Sequence, residues 1–282
     1  MNEHELEPTI RRILVALDAS RHSLAALEAA SELADALKAE LVGIFVEDIN
    51  LLHLAGLPFA REVRFLSSAD HPLDSSSMER ELRRQAEQLR RTLAGIAGRR
   101  QLRWSFRVVR GQVTSELLSA AQEADLLAMG RASWSLARRA RLGATAREVV
   151  AQALRPVLLL QQGHSICAPV QLVFDGSLAA QRALATAAHM ASITGGHLIV
   201  TVVADVPEIA QRLQGEIEGR LQAQQIKGDY RQLIKPAAEE LARALRAAGG
   251  GTLIISADNP LLHGEGLPTL LDAIDCSVFL VR

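Results

Sequence analysis

Aromatic residues are scarce in this chain: Phe, Trp and Tyr together make up 3% of it. A surface that stacks successive bases of a single strand needs several such rings, so single-stranded nucleic-acid binding is not expected. Charge of one sign is also missing. The 31 Lys and Arg nearly cancel the 32 Asp and Glu, for a formal net charge of −1. No global positive field draws in DNA or RNA, and no nucleic-acid partner is expected. The two cysteines, Cys167 and Cys276, are far apart, with neither zinc-like spacing nor a Cys-x-x-Cys pair. Both read as apolar thiols in a reducing compartment. No run approaches the ~20 apolar residues of a membrane span. The polar stretch 1–12 lacks the apolar core of a signal peptide. A cytoplasmic protein without a membrane partner is the expectation. The eight histidines show no His-x-His or His-x-x-x-His spacing. Neither Gly-x-Ser-x-Gly nor Gly-x4-Gly-Lys-Ser/Thr occurs. Neither a metal site nor a catalytic constellation is expected.

What is present is an Ala- and Leu-rich chain of 282 residues, 49% apolar, long enough for about two domains. It repeats itself. Ile13-Leu14-Val15-Ala16-Leu17-Asp18-Ala19-Ser20 is echoed by Val170-Gln171-Leu172-Val173-Phe174-Asp175-Gly176-Ser177. Each is a short apolar run ending in Asp-x-Ser before an Ala-rich helical stretch, with Ser20 placed as an N-cap. The first half reads strand 13–17, helix 23–37, strand 41–46, helix 78–96, strand 104–109, helix 115–123, strand 126–129, helix 144–154 and strand 157–160. The second reads strands near 170–174, 198–203, 229–234, 252–256 and 278–281, with helices near 179–192, 207–224, 236–248 and 267–274. Such alternation implies parallel sheets with helices on both faces. The offset between copies falls from 157 at Asp18 and Asp175 to 121 at Val157 and Val278, so the second copy is 36 residues shorter. Much of the loss is the long connection 49–76, which carries Leu51, Leu52, Leu54, Leu57 and Phe59. Those side chains need burial, so the connection reads as a cover or a docking segment for a protein partner.

The first half closes with Gly130-x-x-Ser133, nine residues, then Gly143-Ala144-Thr145. Glycines at a strand end and a helix start let backbone N–H groups approach an anion at the positive end of a helix. Together with Asp-x-Ser, this spacing resembles the universal stress protein family, as do Val109-Arg110-Gly111, Glu123-Ala124-Asp125-Leu126 and Arg155-Pro156-Val157. The resemblance covers both halves. It implies two tandem flavodoxin-like α/β domains, 10–162 and 168–282, each a five-stranded parallel sheet of order 3-2-1-4-5 with helices on both faces. It implies a pseudo-dimer of the two copies joined through their fifth strands, with a homodimer left open.

The resemblance also implies ATP or AMP binding, magnesium only with ATP, and a part in stress survival. Carried over, the adenosine contacts are Ala16, Leu17, Asp18 and Val46, and the phosphate contacts Met129, Gly130, Gly143 and Thr145. Arg131 and Ser133 belong to the same loop. Ser133 stands where the family has a second glycine, and Ala144 where it has Ser or Thr. One lost neutral hydrogen bond weakens binding about tenfold and does not abolish it. Arg131, Arg138, Arg139 and Arg141 form either a phosphate or acidic-partner patch or a solvated helix face. In the second half Ala257, Pro260 and Gly264 align with Gly130, Ser133 and Gly143, and Glu265 puts a carboxylate where phosphate would sit. Three functions remain open on the sequence. They are nucleotide sensing through the first half, a nucleotide-independent interaction protein with both sites degenerate, and a slow ATPase.

Overall fold

The structure, a computed structural model, describes residues 10–57, 61–62, 71–72, 74–131, 142–161, 169–264 and 266–282. The first half runs β1 (Arg12–Leu17), α1 (Arg21–Leu37), β2 (Glu40–Asp48), α2 (Ile49–Ala55), β3 (Arg61–Glu62), β4 (His71–Pro72) and α3 (Ser75–Arg99). It continues with β5 (Trp104–Gly111), α4 (Val113–Ala121), β6 (Leu126–Gly130), α5 (Ala144–Gln152) and β7 (Val157–Leu160). The second half runs β8 (Val170–Phe174), α6 (Leu178–Ile193), β9 (His197–Ala204), α7 (Pro207–Ala223) and β10 (Lys227–Ile234). It ends with α8 (Ala238–Ala247), β11 (Thr252–Ser256), a 3-10 turn at Pro260–Leu262, α9 (Gly266–Ala273) and β12 (Ser277–Val281).

All the long strands join one ten-stranded sheet of order β10-β9-β8-β11-β12-β7-β6-β1-β2-β5. Every pairing is parallel except one. At the centre β12 meets β7 antiparallel, with Val278 opposite Leu159, Phe279 opposite Leu158 and Leu280 opposite Val157. The expected meeting of the two fifth strands is therefore present. β7 is wholly apolar and β12 apolar after Ser277, and each would otherwise be an open edge. The edges fall instead on β5 and β10, which are half exposed and carry Arg107, Arg110, Lys227 and Arg231. Alternate side chains of the central strands feed two cores, one on each sheet face. Phe279 and Val281 join Leu27, Leu93, Ala183 and Leu213 under α1, α3, α6 and α7. Val278 and Leu280 join Leu117, Val149, Leu241 and Leu270 under α4, α5, α8 and α9. Both cores run through both halves of the chain.

Three local outcomes differ from the sequence reading. Helix α5 stops at Gln152 rather than Leu154, because Ala153 is already extended (ψ 135°) ahead of Arg155-Pro156. Helix α3 starts at Ser75, where the Asp74 carboxylate accepts from the Ser77 N–H at 3.1 Å and from the hydroxyls of Ser76 and Ser77. Those bonds, the Ser76 hydroxyl first, hold its pKa below the usual carboxylate range. The 49–76 connection is not wholly irregular. Asp48 caps α2 by accepting from Asn50 N at 2.9 Å, and Arg61–Glu62 pairs antiparallel with His71–Pro72. Burial of its leucines is corrected too. Leu52 packs on the core, while Leu51, Leu54 and Leu57 stay 42%, 49% and 40% exposed. The short α2 stands at the strand end and turns only one face inward. Phe59 lies outside the described residues.

Candidate functional site

The Asp-x-Ser motif forms the same local structure twice. Asp18 Oδ1 accepts from Ser20 N at 2.9 Å, and Ser20 Oγ caps α1 by accepting from Ser23 N at 3.1 Å. In the second half Asp175 Oδ1 accepts from Ser177 N at 2.9 Å, and Ser177 Oγ accepts from Ala180 N at 3.0 Å. The motif is thus an Asx turn leading into an N-cap, whatever else it does. In the first half Ser23 adds a bond of its own, its hydroxyl accepting from Asp18 N at 2.8 Å. That bond turns the Asp18 backbone and leaves its side chain exposed above the carboxyl end of β1.

Beside Asp18 lies a cleft of about 270 Å³ over the ends of β1, β2 and β6. This is the switch point of an open α/β sheet, where ligands enter. Ala16, Leu17, Asp18, Val46, Met129, Gly130, Gly143 and Thr145 all line it. Gly130 passes close to α1: a Cβ built there would lie 3.2 Å from the carbonyl carbon and the Cβ of His22. Gly143 is the N-cap of α5 and supplies no side-chain cap, and it lines the cleft together with Thr145 and Ala146 of the helix's first turn. The cleft thus combines a helix N-terminus suited to an anion with apolar lining from Phe45, Val46 and Leu82. The lining side chains include the carboxylates of Asp18 and Asp48 and, among the described residues, no cation.

Two of the sequence-predicted residues are not in this lining. Ser133 lies outside the described residues, as do Arg138, Arg139 and Arg141. Arg131 is described, and it turns away from the cleft. It is 2% exposed and reaches between the halves, Nη1 donating to Gln161 Oε1 at 2.9 Å and to the Cys276 carbonyl at 3.2 Å. It is neither a cleft residue nor a solvated face, because its N–H bonds to Leu160 O at 2.9 Å and continues the β7 ladder into the junction. Sequence reasoning missed Ser23, Asp48, Leu82 and Gln85 in the site. Asp48 was legible as a cap ahead of Ile49-Asn50. Leu82 and Gln85 carry no motif and reach the site only because α3 packs across β2.

Burial lowers the pKa of the Arg131 guanidinium and pushes the Cys276 thiol up to about 11. The folded thiol holds its proton above its ordinary value of 9.0, so its contribution to stability is full below pH 9 and lost as pH rises through about 11. In native protein at pH 8, iodoacetamide is expected to label Cys276 about a hundredfold more slowly than in urea, by peptide mass spectrometry. Equal rates would contradict this burial. Cys167 lies outside the described residues.

The second half has filled its equivalent position. Asn259, 2% exposed, donates from Nδ2 to Asp175 Oδ2 at 2.9 Å. Gly176 has φ +81°, and a Cβ there would lie 2.8 Å from Leu213 Cδ2 of α7. Strand register corrects one equivalence. Gly130 pairs with Leu160 and Ser256 with Val281. Ala257 N donates to Val281 O as Arg131 N does to Leu160 O, both at 2.9 Å. The counterpart of Gly130 is thus Ser256, and Ala257 matches Arg131. Pro260 opens the 3-10 turn, and Gly264, with φ +61°, precedes α9 by two residues. Glu265 lies outside the described residues. Among the described residues there is no group of three or more His, Cys, Asp or Glu able to hold a metal, and no helix is long and apolar enough to cross a membrane.

Solved structures share this architecture. A universal stress protein from Archaeoglobus fulgidus superposes with a TM-score of 0.73 at 16% identity, covering 98% of each chain. A putative universal stress protein from Pseudomonas aeruginosa gives 0.59 at 17% identity, over 97% of this chain and 94% of that one. A functionally unknown protein from the same species gives 0.56 at 16% identity, over 97% and 93%. At these identities the likeness is one of fold. No curated protein matches the chain in sequence. The model of the universal stress protein family matches residues 9–161, more than half the chain and the whole of the half that carries the open cleft, and the chain belongs to that family.

Proposed function

We propose that the first-half cleft binds an adenine nucleotide, ATP or AMP, and that the protein acts as a nucleotide-responsive component of stress survival in the cytoplasm. Residues 10–162 form the binding domain on this reading, and 168–282 a second domain that has given up its own site. The single observation that carries it is convergence. Eight residues spread from Ala16 to Thr145 line one cleft, together with the start of a helix that lacks a side-chain cap and the apolar side chains of Phe45 and Leu82. The base and ribose lie along Leu17, Asp18 and Val46. The phosphates meet Gly130, Gly143 and Thr145.

At about 270 Å³ the cleft falls just below the ~300–1,000 Å³ usual for small-molecule sites, so part of a nucleotide projects outward. Asp18 and Asp48 repel a bare triphosphate. AMP, or ATP with its charge offset by magnesium, suits the described lining better than free ATP. Because Asn259 and Leu213 occupy the Asp175 side, one nucleotide per chain is expected, not two. Isothermal titration with ATP, with and without magnesium, reads both affinity and stoichiometry. Two sites per chain would contradict the filled second half, and no binding would remove the proposal.

The exposure of Leu51, Leu54 and Leu57 favours a second reading, in which α2 docks a protein partner or a second copy without nucleotide. The titration separates the two, since that reading requires no heat of binding. Phosphate release at high protein concentration tests the slow-ATPase reading.

A further inference from the structure

The glycine loop of the first half is tied to the second half at both ends. At its start Arg131 donates to the Cys276 carbonyl at 3.2 Å. At its close the N–H of Leu142 donates to Asp272 Oδ1 at 2.9 Å. Leu142 itself is 6% exposed and packs in the same core as Leu267, Leu270 and Leu271 of α9. The two ends also meet each other, Gly143 N donating to Arg131 O at 3.0 Å. Both external ties land on one corner, Asp272 to Cys276, where α9 turns into β12. Asp272 Oδ2 also lies 3.7 Å from Arg147 Nη2 on α5. Both of those side chains are a third to a half exposed, so that ion pair contributes little beside the bond to the Leu142 N–H.

We propose that the Asp272–Cys276 corner is a positioning clamp, through which the second half sets the geometry of the first half's nucleotide cleft. The proposal rests on the reading that the cleft takes a nucleotide. Neither Asp272 nor Arg131 lines the cleft; both act through the backbone they hold. Leu142 immediately precedes Gly143, the N-cap whose helix offers its first N–H groups to the ligand. With the Asp272 acceptor removed, a part-buried N–H loses its protein partner and nothing from the second half holds the loop end in place. The helix start then no longer meets the phosphate in one fixed arrangement. The coupling is reciprocal, so a bound nucleotide tightens the junction between the halves. It also explains why a half with a filled site of its own remains attached: its role is to hold its neighbour's loop.

The test uses the full chain with Asp272→Ala and Asp272→Asn, read by titration with magnesium-ATP and by amide hydrogen exchange at 142–145. In Asp272→Ala the affinity is expected to fall about tenfold and exchange at Leu142 to speed up by at least as much, with or without nucleotide. Asp272→Asn keeps an acceptor oxygen and is expected to stay within about threefold of wild type in both readouts. Unchanged exchange at 142–145 in Asp272→Ala overturns the clamp, and so does an Asn variant as impaired as the Ala one. If wild-type protein binds no nucleotide, the cleft reading fails by itself and the exchange still decides the clamp. Should Asp272→Ala not fold, Arg131→Met makes the same comparison. It removes the tie to Cys276 while leaving a flexible apolar side chain in the junction, and faster exchange at 142–145 is again expected.

Discussion

Valine at position 130 is expected to abolish nucleotide binding, with a loss of about a hundredfold or more, because a β-branched side chain has nowhere to go there. A Cβ alone would lie 3.2 Å from the carbonyl carbon and the Cβ of His22 and 3.3 Å from the His22 oxygen. Alanine therefore requires α1 to give by a few tenths of an ångström. Valine adds two methyl groups to the same contact. One must enter the cleft or push back the first turn of α1, which carries Ser23, the residue that orients Asp18. Both ends of the proposed ligand site are damaged by one change. The expected order of affinity for magnesium-ATP is wild type, then Gly130→Ala, then Gly130→Val, measured by titration. A thermal melt run alongside separates lost binding from lost fold. Wild-type affinity in a folded Gly130→Val protein would mean that the ligand, if any, lies elsewhere.

Phe279→Ala is expected to cost about 3–5 kcal/mol, the range for truncating a fully buried Phe. Phe279 is 1% exposed and sits in the central antiparallel ladder opposite Leu158. Its place, more than its size, decides how the loss appears. The same core reaches Leu27 and Leu93 on one side and Ala183 and Leu213 on the other, so the cavity opens in packing that both halves share. Calorimetry should therefore show one transition lowered by roughly 10 °C, the order expected of such a loss in a chain of this size. Two separated transitions, with only one of them moved, would mean that the halves unfold independently despite the shared cores.

Much of the fold was legible because its determinants are local. Short β-branched runs, Ala-rich helices and serine caps specify themselves within a few residues. Strand β11 spans the 252–256 read from the sequence, and α7 ends within one residue of its predicted bound. The antiparallel meeting of β7 and β12 was legible for a different reason: the strand order that the resemblance implies makes both of them edges, and two largely apolar strands cannot both stay open. The cleft was legible in part. Its backbone elements, at Asp18, Val46, Gly130 and Gly143, stand at strand ends and a helix start that the pattern marks. Its walls were not, because Leu82 and Gln85 enter from a helix whose own periodicity says only that one face is apolar.

The repeated Asp-x-Ser shows where local information ends. By itself it determined two Asx turns and two helix caps, and both form, since every bond involved spans three residues or fewer. It did not determine that only the first stands beside an open cleft. Asn259 reaches Asp175 from 84 residues away, and Leu213 reaches Gly176 from another helix, while no such side chain among the described residues covers Asp18. The direction of Arg131 was decided in the same way. Its position beside a glycine turn suggests a phosphate ligand, but the strand register carries it into the junction toward Cys276. Sequence determined most of the long elements and the serine caps, because these follow from hydrophobic period and short-range hydrogen bonds, while the strand order and the joining of the halves were legible through the family resemblance. Tertiary structure alone decided which pocket stays open and which charge is buried, because both depend on what distant segments bring to the same few cubic ångströms.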